Sequence, residues 1–325
     1  MPVIDLRDAI GKGLKEALTN NDKVFIMGED VGEYGGAYSV TRGLLKEFGP
    51  ERVMDTPISE SVIVGAGIGS ALAGLRPIVE IMTINFSLLA MDQIVNHAAK
   101  LRYMSDGQFT VPLLIRTVTG GGAQLAATHS QSFEGWYASV PGLKVIVPST
   151  PYDALGLIRS ALKDDNPIIM AEHALLYGVR EEVPNEWYEI PIGKAIVRRK
   201  GSDVTIIGHL KTAHIAIEVA KILSSKGKTA EVIDMRSLRP IDTETIIESV
   251  KKTNRAVVID EAWKTGSFAA EIASTIQEQA FDFLDGPVIR IGSANVPSPY
   301  AQNLEAAMFP DAKEITETIE NVFGL

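Results

Sequence analysis

Val204-Thr-Ile-Ile207, Thr212-Ala-His-Ile-Ala-Ile-Glu-Val-Ala-Lys-Ile-Leu-Ser-Ser225 and Ala230-Glu-Val-Ile-Asp234 decide the fold. Two apolar runs, each short enough for a buried strand, flank a stretch whose apolar residues recur at helical spacing. That is the pattern of a strand, a crossover helix and a parallel strand. It continues toward the C-terminus, with helices predicted at 243–252 and 266–281 and strands at 256–260 and 288–291. The first half repeats it, with strands predicted at 24–27, 78–82, 113–117, 144–147 and 168–171 and helices at 5–19, 60–73, 87–103 and 152–163. A Pro-punctuated stretch at 183–191 breaks the rhythm and reads as a linker. Because parallel strands joined by helices require right-handed crossovers, the expectation is an α/β protein of two doubly wound domains, residues 1–190 and 191–325.

Composition bounds the function. The 325 residues contain no cysteine, which excludes disulfides, thiolate catalysis, Cys-bound zinc and iron–sulfur clusters. The formal charge of −10 argues against nucleic acid as a partner. No apolar run reaches membrane-spanning length and no basic, then apolar, leader opens the chain, so a cytoplasmic protein with no membrane contact is expected. Acid is concentrated at the end: from Glu271 to Leu325 nine Asp and Glu face two basic residues, Arg290 and Lys313. Such a segment is either a solvated face or a docking surface for a basic partner.

Two glycine-rich segments need separate readings. Val64-Gly-Ala-Gly-Ile-Gly-Ser-Ala-Leu-Ala-Gly74 looks like a dinucleotide fingerprint but fails it: Ser70 or Leu72 stands where the third small residue belongs, and no strand precedes. Small residues four apart (Gly65, Gly69, Ala73) fit instead a helix packed closely on another helix or on a partner chain, an advantage that must offset about 1 kcal/mol per helical glycine. Thr119-Gly-Gly-Gly-Ala123 follows a predicted strand. It reads either as a flexible surface loop or as a loop whose backbone approaches a ligand or another chain.

The five histidines are His97, His129, His173, His209 and His214. His97 and His214 fall within predicted helices, and His209 ends a strand at a carboxyl edge. His129, in the polar run Ala-Thr-His-Ser-Gln-Ser after the glycines, has the setting of an acid–base group. Glu60 opens the helix at 60–73; on spacing alone it is a helix-N-terminal acid favoured by the macrodipole. No metal or nucleotide motif of the usual kinds occurs, including the Gly-Asp-Gly…Asn run that binds magnesium and diphosphate in thiamine enzymes.

Taken together the segments are more specific. Met27-Gly-Glu-Asp-Val-Gly32, Asp55-Thr-Pro-Ile-Ser-Glu60, Gly74-Leu-Arg-Pro-Ile-Val-Glu80, His129-Ser-Gln, Leu176-Tyr-Gly, Val232-Ile-Asp-Met-Arg-Ser-Leu-Arg-Pro-Ile-Asp242 and Asn295-Val-Pro-Ser-Pro-Tyr300 run in order along the chain. The chain resembles the β subunits of heterotetrameric, thiamine-diphosphate-dependent 2-oxo acid dehydrogenases (E1). The resemblance implies a pyrimidine-binding N-terminal domain and a transketolase-like C-terminal domain. It implies that Glu60 hydrogen-bonds the cofactor's aminopyrimidine, that Phe86 stacks on it, and that His129 steadies substrate or lipoyl group during acyl transfer. It also implies that Glu29 and Asp92 join Glu60 along an acidic passage, and that backbone carbonyls of Leu113, Ala161, Leu162, Asp164 and Asn166 bind a structural potassium ion.

The absent Gly-Asp-Gly run then belongs to an α subunit, which would hold Mg2+ and the diphosphate in an α2β2 tetramer. The implied activity is pyruvate dehydrogenase-type: decarboxylation of a 2-oxo acid and reductive acylation of the lipoyl group of E2. Branched-chain 2-oxo acid or acetoin dehydrogenation are the neighbouring alternatives, and a non-catalytic scaffold subunit is the alternative of another class. For the acidic C-terminal segment, Glu314, Glu317 and Glu320 are the expected contacts to a basic domain of E2.

Overall fold

The computed structural model describes residues 1–325, which form two compact units. The first comprises Met1–Thr119, Trp136–Ile192 and Leu238–Pro240; the second comprises Gly120–Gly135, Gly193–Ser237 and Ile241–Leu325.

In the first unit a seven-stranded sheet runs in the order Ser237–Arg239, Lys144–Ile146, Ile168–His173, Leu114–Thr119, Arg76–Ile81, Val24–Gly28, Val53–Asp55. The pairs from Lys144–Ile146 to Val53–Asp55 are all parallel. Its central strands are buried along their whole length, as parallel strands covered on both faces must be. Helix Leu6–Asn20 starts where Asp5 accepts the amide of Asp8, and packs against helix Pro151–Ala161, itself capped by Thr150.

The second unit holds a five-stranded sheet ordered Ile289–Ser293, Ala256–Trp263, Val204–Gly208, Ala230–Asp234, Ile196–Arg199. All its pairs are parallel except the last, so the reading as a purely parallel sheet needs an antiparallel edge added. One face is closed by helix Leu210–Ser225 and the C-terminal helix Ala312–Phe323, whose Ile315 and Ile319 are buried among Val204, Ile206, Val219 and Leu223.

Two local expectations change. The helix expected at 87–103 is broken into a 3-10 segment Ile84–Ala90, a π segment Gln93–Ala98 and a short helix Leu101–Met104. Ser87 Oγ donates to the Ile84 carbonyl at 2.6 Å and also bonds Tyr137 Oη at 2.5 Å, which tightens the winding locally. The stretch at 183–191 is not a free linker: Val183 and Ile190 are buried, and Tyr188 stacks on Tyr152 with centroids 4.3 Å apart.

The small-residue helix Glu60–Leu72 turns Glu60, Ile63, Val64, Gly67, Ile68 and Ala71 inward. Gly65 is half-buried, where a Cβ would lie 3.7 Å from Gln93 Cγ, while Gly69 and the cap residue Ala73 face outward.

Candidate functional site

In the first unit a cluster of acids gathers at the carboxyl ends of neighbouring strands, the place where open α/β sheets bind ligands. Val24–Gly28 ends at Glu29, and Gly28 is the register partner of both Asp55 and Glu80. Gly28 is required there, because a Cβ would lie 2.7 Å from the Glu80 carbonyl oxygen and 3.0 Å from Val31. The loop after Glu29 is pinned by Asp55, which accepts the amides of Gly32 at 2.6 Å and Glu33 at 3.0 Å. Thr41 Oγ1 donates to the Val31 carbonyl at 2.7 Å from the loop's other side.

Glu60 is the first residue of its helix and only 3% exposed, yet no hydrogen bond or ion pair of the chain reaches its carboxylate. Glu29 is 7% exposed, and its Oε1 is buried without a hydrogen-bond partner. Burial, then the charges of Glu60, Asp30 and Glu80, push the Glu29 carboxyl above its ordinary value. Buried acids without donors are costly unless a proton or a ligand completes them.

Next to Glu80 the same sheet buries an ion-paired network. Arg116, register partner of Glu80, donates from Nη1 to Glu80 Oε2 at 2.6 Å and from Nε and Nη2 to Glu172 at 2.8 and 2.9 Å. Tyr177 Oη donates to Glu172 Oε2 at 2.8 Å. Burial raises the Glu80 carboxyl even against the lowering effect of Arg116. Sequence reasoning missed Glu80, Arg116 and Glu172; the only signal was three charged residues inside apolar strands.

Other predicted residues are placed elsewhere. Phe86 is half-buried in the 3-10 segment, with its amide donating to the Thr83 carbonyl at 3.0 Å. Asp92 stands on an exposed surface, where Oδ1 accepts from Asn96 Nδ2 at 2.7 Å and Oδ2 lies 3.4 Å from His97 Nε2. The carbonyls of Leu162 and Asp164 converge on Arg76 Nη1, each at 3.1 Å, and Lys144 pairs with the Asp164 carboxylate. The Leu113 carbonyl accepts the Ile168 amide at 2.9 Å, and that of Ala161 accepts the Asp164 amide at 3.2 Å. Of the five carbonyls, those of Leu162 and Asp164 share one cation, Arg76, while those of Leu113 and Ala161 accept backbone amides.

His129 belongs to the second unit, in a loop whose ends are joined by the Gly120 amide donating to the Gln131 carbonyl at 3.3 Å. Its Nδ1 lies 3.0 Å from Thr128 Oγ1. The same unit buries a further group at strand ends, where His209 Nε2 sits 3.5 Å from Glu134 Oε1. Asp260 beside them accepts the amides of Ala262 at 3.0 Å and Ala269 at 3.2 Å. Burial lowers the affinity of His209 for its proton, but the Glu134 hydrogen bond and the charge of Asp260 outweigh it, and the net shift is upward.

At the C-terminus, Glu320 pairs with Lys226, and Glu317 lies 3.9 Å from Lys313 on its own helix. No helix is long and apolar enough to cross a membrane.

Comparison with known proteins agrees with this architecture. Residues 3–179 match the family described as "Transketolase, pyrimidine binding domain", and residues 193–315 match "Transketolase, C-terminal domain". Among solved structures, a split-gene transketolase described as an inactive β4 tetramer superposes with a TM-score of 0.81 over 99% of both chains at 24% identity, a likeness of fold. The pyruvate dehydrogenase E1 component subunit beta of Rhizobium meliloti (strain 1021) is 46% identical over 323 residues, covering 99% of this chain and 70% of the relative. The Rickettsia felis protein of that name is 46% identical over 319 residues, covering 98% of each. The mitochondrial one of Dictyostelium discoideum is 46% identical over 323, covering 98% of this chain and 91% of the relative. With both domains matched and this identity sustained over nearly its whole length, the chain belongs to the pyruvate dehydrogenase E1 β-subunit family.

Proposed function

We propose that this chain is the β half of an E1 component that decarboxylates pyruvate with thiamine diphosphate and passes the acetyl group to the lipoyl group of E2. The observation that carries the reading is Glu60: a carboxylate almost fully buried at a helix start, with no partner in its own chain. A buried carboxylate of that kind suits a ring nitrogen that must exchange a proton away from water. Bound thiamine diphosphate would supply an electron sink for the carbon left after decarboxylation.

Around it the chain's residues have separate tasks. Glu60 accepts a hydrogen bond from the pyrimidine and holds or returns its proton. Glu29, whose own carboxyl is raised by burial and by Glu60, adds a second buried acid beside it. Asp92, exposed in this chain, is open to a covering subunit that would extend the acidic passage. Phe86 gives the pyrimidine an aromatic face, and His129 supplies a proton donor during acyl transfer.

Magnesium and the diphosphate belong in this reading to an α partner in an α2β2 tetramer, because the Gly-Asp-Gly…Asn run is absent from this sequence. The carbonyls of Leu113, Ala161, Leu162, Asp164 and Asn166 would hold potassium. The outward face of helix Glu60–Leu72, small and apolar at Val62, Gly69 and Leu72, supports subunit contact there. Glu314 and Glu317, both exposed, remain open to a basic domain of E2, with Glu320 reached only by releasing Lys226.

The test is calorimetric titration of thiamine diphosphate with magnesium into this chain alone and into its complex with the α subunit. Binding in the complex alone, lost with Glu60→Ala, is the expected result. Tight binding to the isolated chain, or undiminished turnover of pyruvate by the Glu60→Ala complex, would overturn the split-site reading.

A further inference from the structure

The triple-glycine loop spends its amides on carboxylates of its own unit. Gly121 N–H donates to Glu261 Oε1 at 2.8 Å; Gly122 and Gln124 N–H donate to Glu305 Oε1 and Oε2 at 3.0 and 2.9 Å. A phosphate-cradling loop would leave those amides free for an anion, and here two buried acids already take that place. Glu305 is 2% exposed and Glu261 6% exposed. Glu261 comes from strand Ala256–Trp263 and Glu305 from helix Gln302–Met308, so two separate elements grip one loop. Lys211 Nζ stands 3.9 Å from Glu261 Oε2 and 4.8 Å from the centroid of the Phe309 ring, which keeps a cation beside the paired acids.

The loop is held in a shape it would not adopt by itself. Gly120, Gly122, Gln124 and Ala126 all have positive φ, and at Gln124 (58°) and Ala126 (63°) the side chain makes that conformation unfavourable. Gly121 lies against the Phe309 ring, where a Cβ would fall 2.5 Å from Cζ and 3.1 Å from Ser130 Cβ. His129 is in the same loop, its amide donating to the carbonyl of strained Ala126 at 3.3 Å. The backbone that carries His129 is thus continuous with the backbone the two acids restrain.

We propose that Glu305, with Glu261, is a positioning residue that holds loop 120–131 in the one conformation that presents His129 for acyl transfer. The functional half of this inference rests on the role given to His129 above; the mechanical half stands on the amide contacts alone. Charge-assisted bonds to backbone amides are strong and directional, and losing two of them frees a stretch that holds two strained residues, Gln124 and Ala126.

The experiment uses the assembled α2β2 enzyme with Glu305→Ala, Glu305→Gln and His129→Ala, singly and with the Glu305→Ala/His129→Ala double variant. Amide hydrogen exchange is read at 120–125, and turnover is read twice, with a small artificial electron acceptor and with a lipoyl domain. Glu305→Ala should speed exchange at 122 and 124 by about tenfold or more, the opening expected when a buried charge-assisted bond is lost. It should lower lipoyl-dependent kcat by a similar factor while acceptor-dependent turnover stays near wild type. Glu305→Gln, which keeps one acceptor oxygen, should restore part of both, and the double variant should be no slower than His129→Ala. Unchanged exchange in Glu305→Ala overturns the latch, as does faster exchange with full lipoyl-dependent turnover. Full lipoyl-dependent turnover in His129→Ala would overturn the role of His129 instead, and the functional half with it; the exchange rates would still decide the mechanical half.

Discussion

Arg116 and Glu172 meet through two parallel hydrogen bonds on adjacent strands, Nε to Oε1 at 2.8 Å and Nη2 to Oε2 at 2.9 Å. With Glu80 on the other side, one fully buried guanidinium balances two buried carboxylates. Removing the cation alone leaves both acids uncompensated. Arg116→Met should therefore destabilise the protein by roughly 3–5 kcal/mol in denaturant unfolding. Adding Glu80→Gln and Glu172→Gln should recover part of the loss; a loss well under 1 kcal/mol for the single variant would show that the network is not balanced by Arg116.

Glu29 predicts a pH dependence of fixed sign. Its carboxyl is raised above the ordinary 4.5 by burial and by neighbouring acids, so the native chain keeps a proton that the unfolded chain releases. Stability from this group is present below 4.5 and is lost as pH rises through the raised value. Glu29→Gln should leave Tm nearly unchanged at pH 4 and raise it at pH 7. A Tm difference independent of pH would contradict the burial-driven shift.

His209 gives the same direction in a higher window. Its pKa lies above 6.5 because Glu134 and Asp260 outweigh burial, so its contribution is complete below 6.5 and fades as pH rises through the folded value. His209→Gln should flatten the fall in Tm between pH 6 and pH 9. An equally steep fall in the variant would assign that slope to other groups.

Potassium should act through the carbonyls beside Arg76. Exchanging potassium for choline at constant ionic strength should lower Tm by about 1–2 °C, roughly the shift that 1 kcal/mol produces in a chain of this size. An identical Tm in both salts would leave Arg76 as the cation these carbonyls serve.

Much of the fold is legible because buried parallel strands are short and uninterrupted in sequence. Ala230–Asp234 is found at its predicted bounds, and the helix expected at 60–73 ends one residue earlier, at Leu72. Short pairings are not legible. Val53–Asp55 and Ile196–Arg199 lack a long apolar run, and their place is set by neighbours already in the sheet. The broken helix after Thr83 escapes pattern reading for a related reason, since its apolar spacing suits a continuous α-helix while Ser87 and Tyr137 impose another winding.

At the candidate site Glu60 is named by its motif, but its unpaired burial is a fact of packing. The acids that restrain the glycine loop were invisible, because Gly121 and Glu261 are 140 residues apart in the chain. At the C-terminus nine acidic residues read as a solvated face or a docking surface, and the structure divides them: Glu305 is buried against a loop, whereas Glu320 pairs with Lys226.

The assignment of Gly120–Gly135 to the second unit, between two stretches of the first, bears on how this protein can be dismembered. A scissor cut near residue 190 looks natural on paper and would yield two pieces of sensible size. The C-terminal piece would then carry Glu261 and Glu305 with no amides to receive, and the N-terminal piece would carry a strained loop with nothing to grip it. Recombinant halves divided there should be poorly soluble apart and recover when co-expressed. The two folds are written into one ribbon as interleaved clauses, and a fragment that respects the grammar must keep 120–135 together with the chain from residue 193 onward.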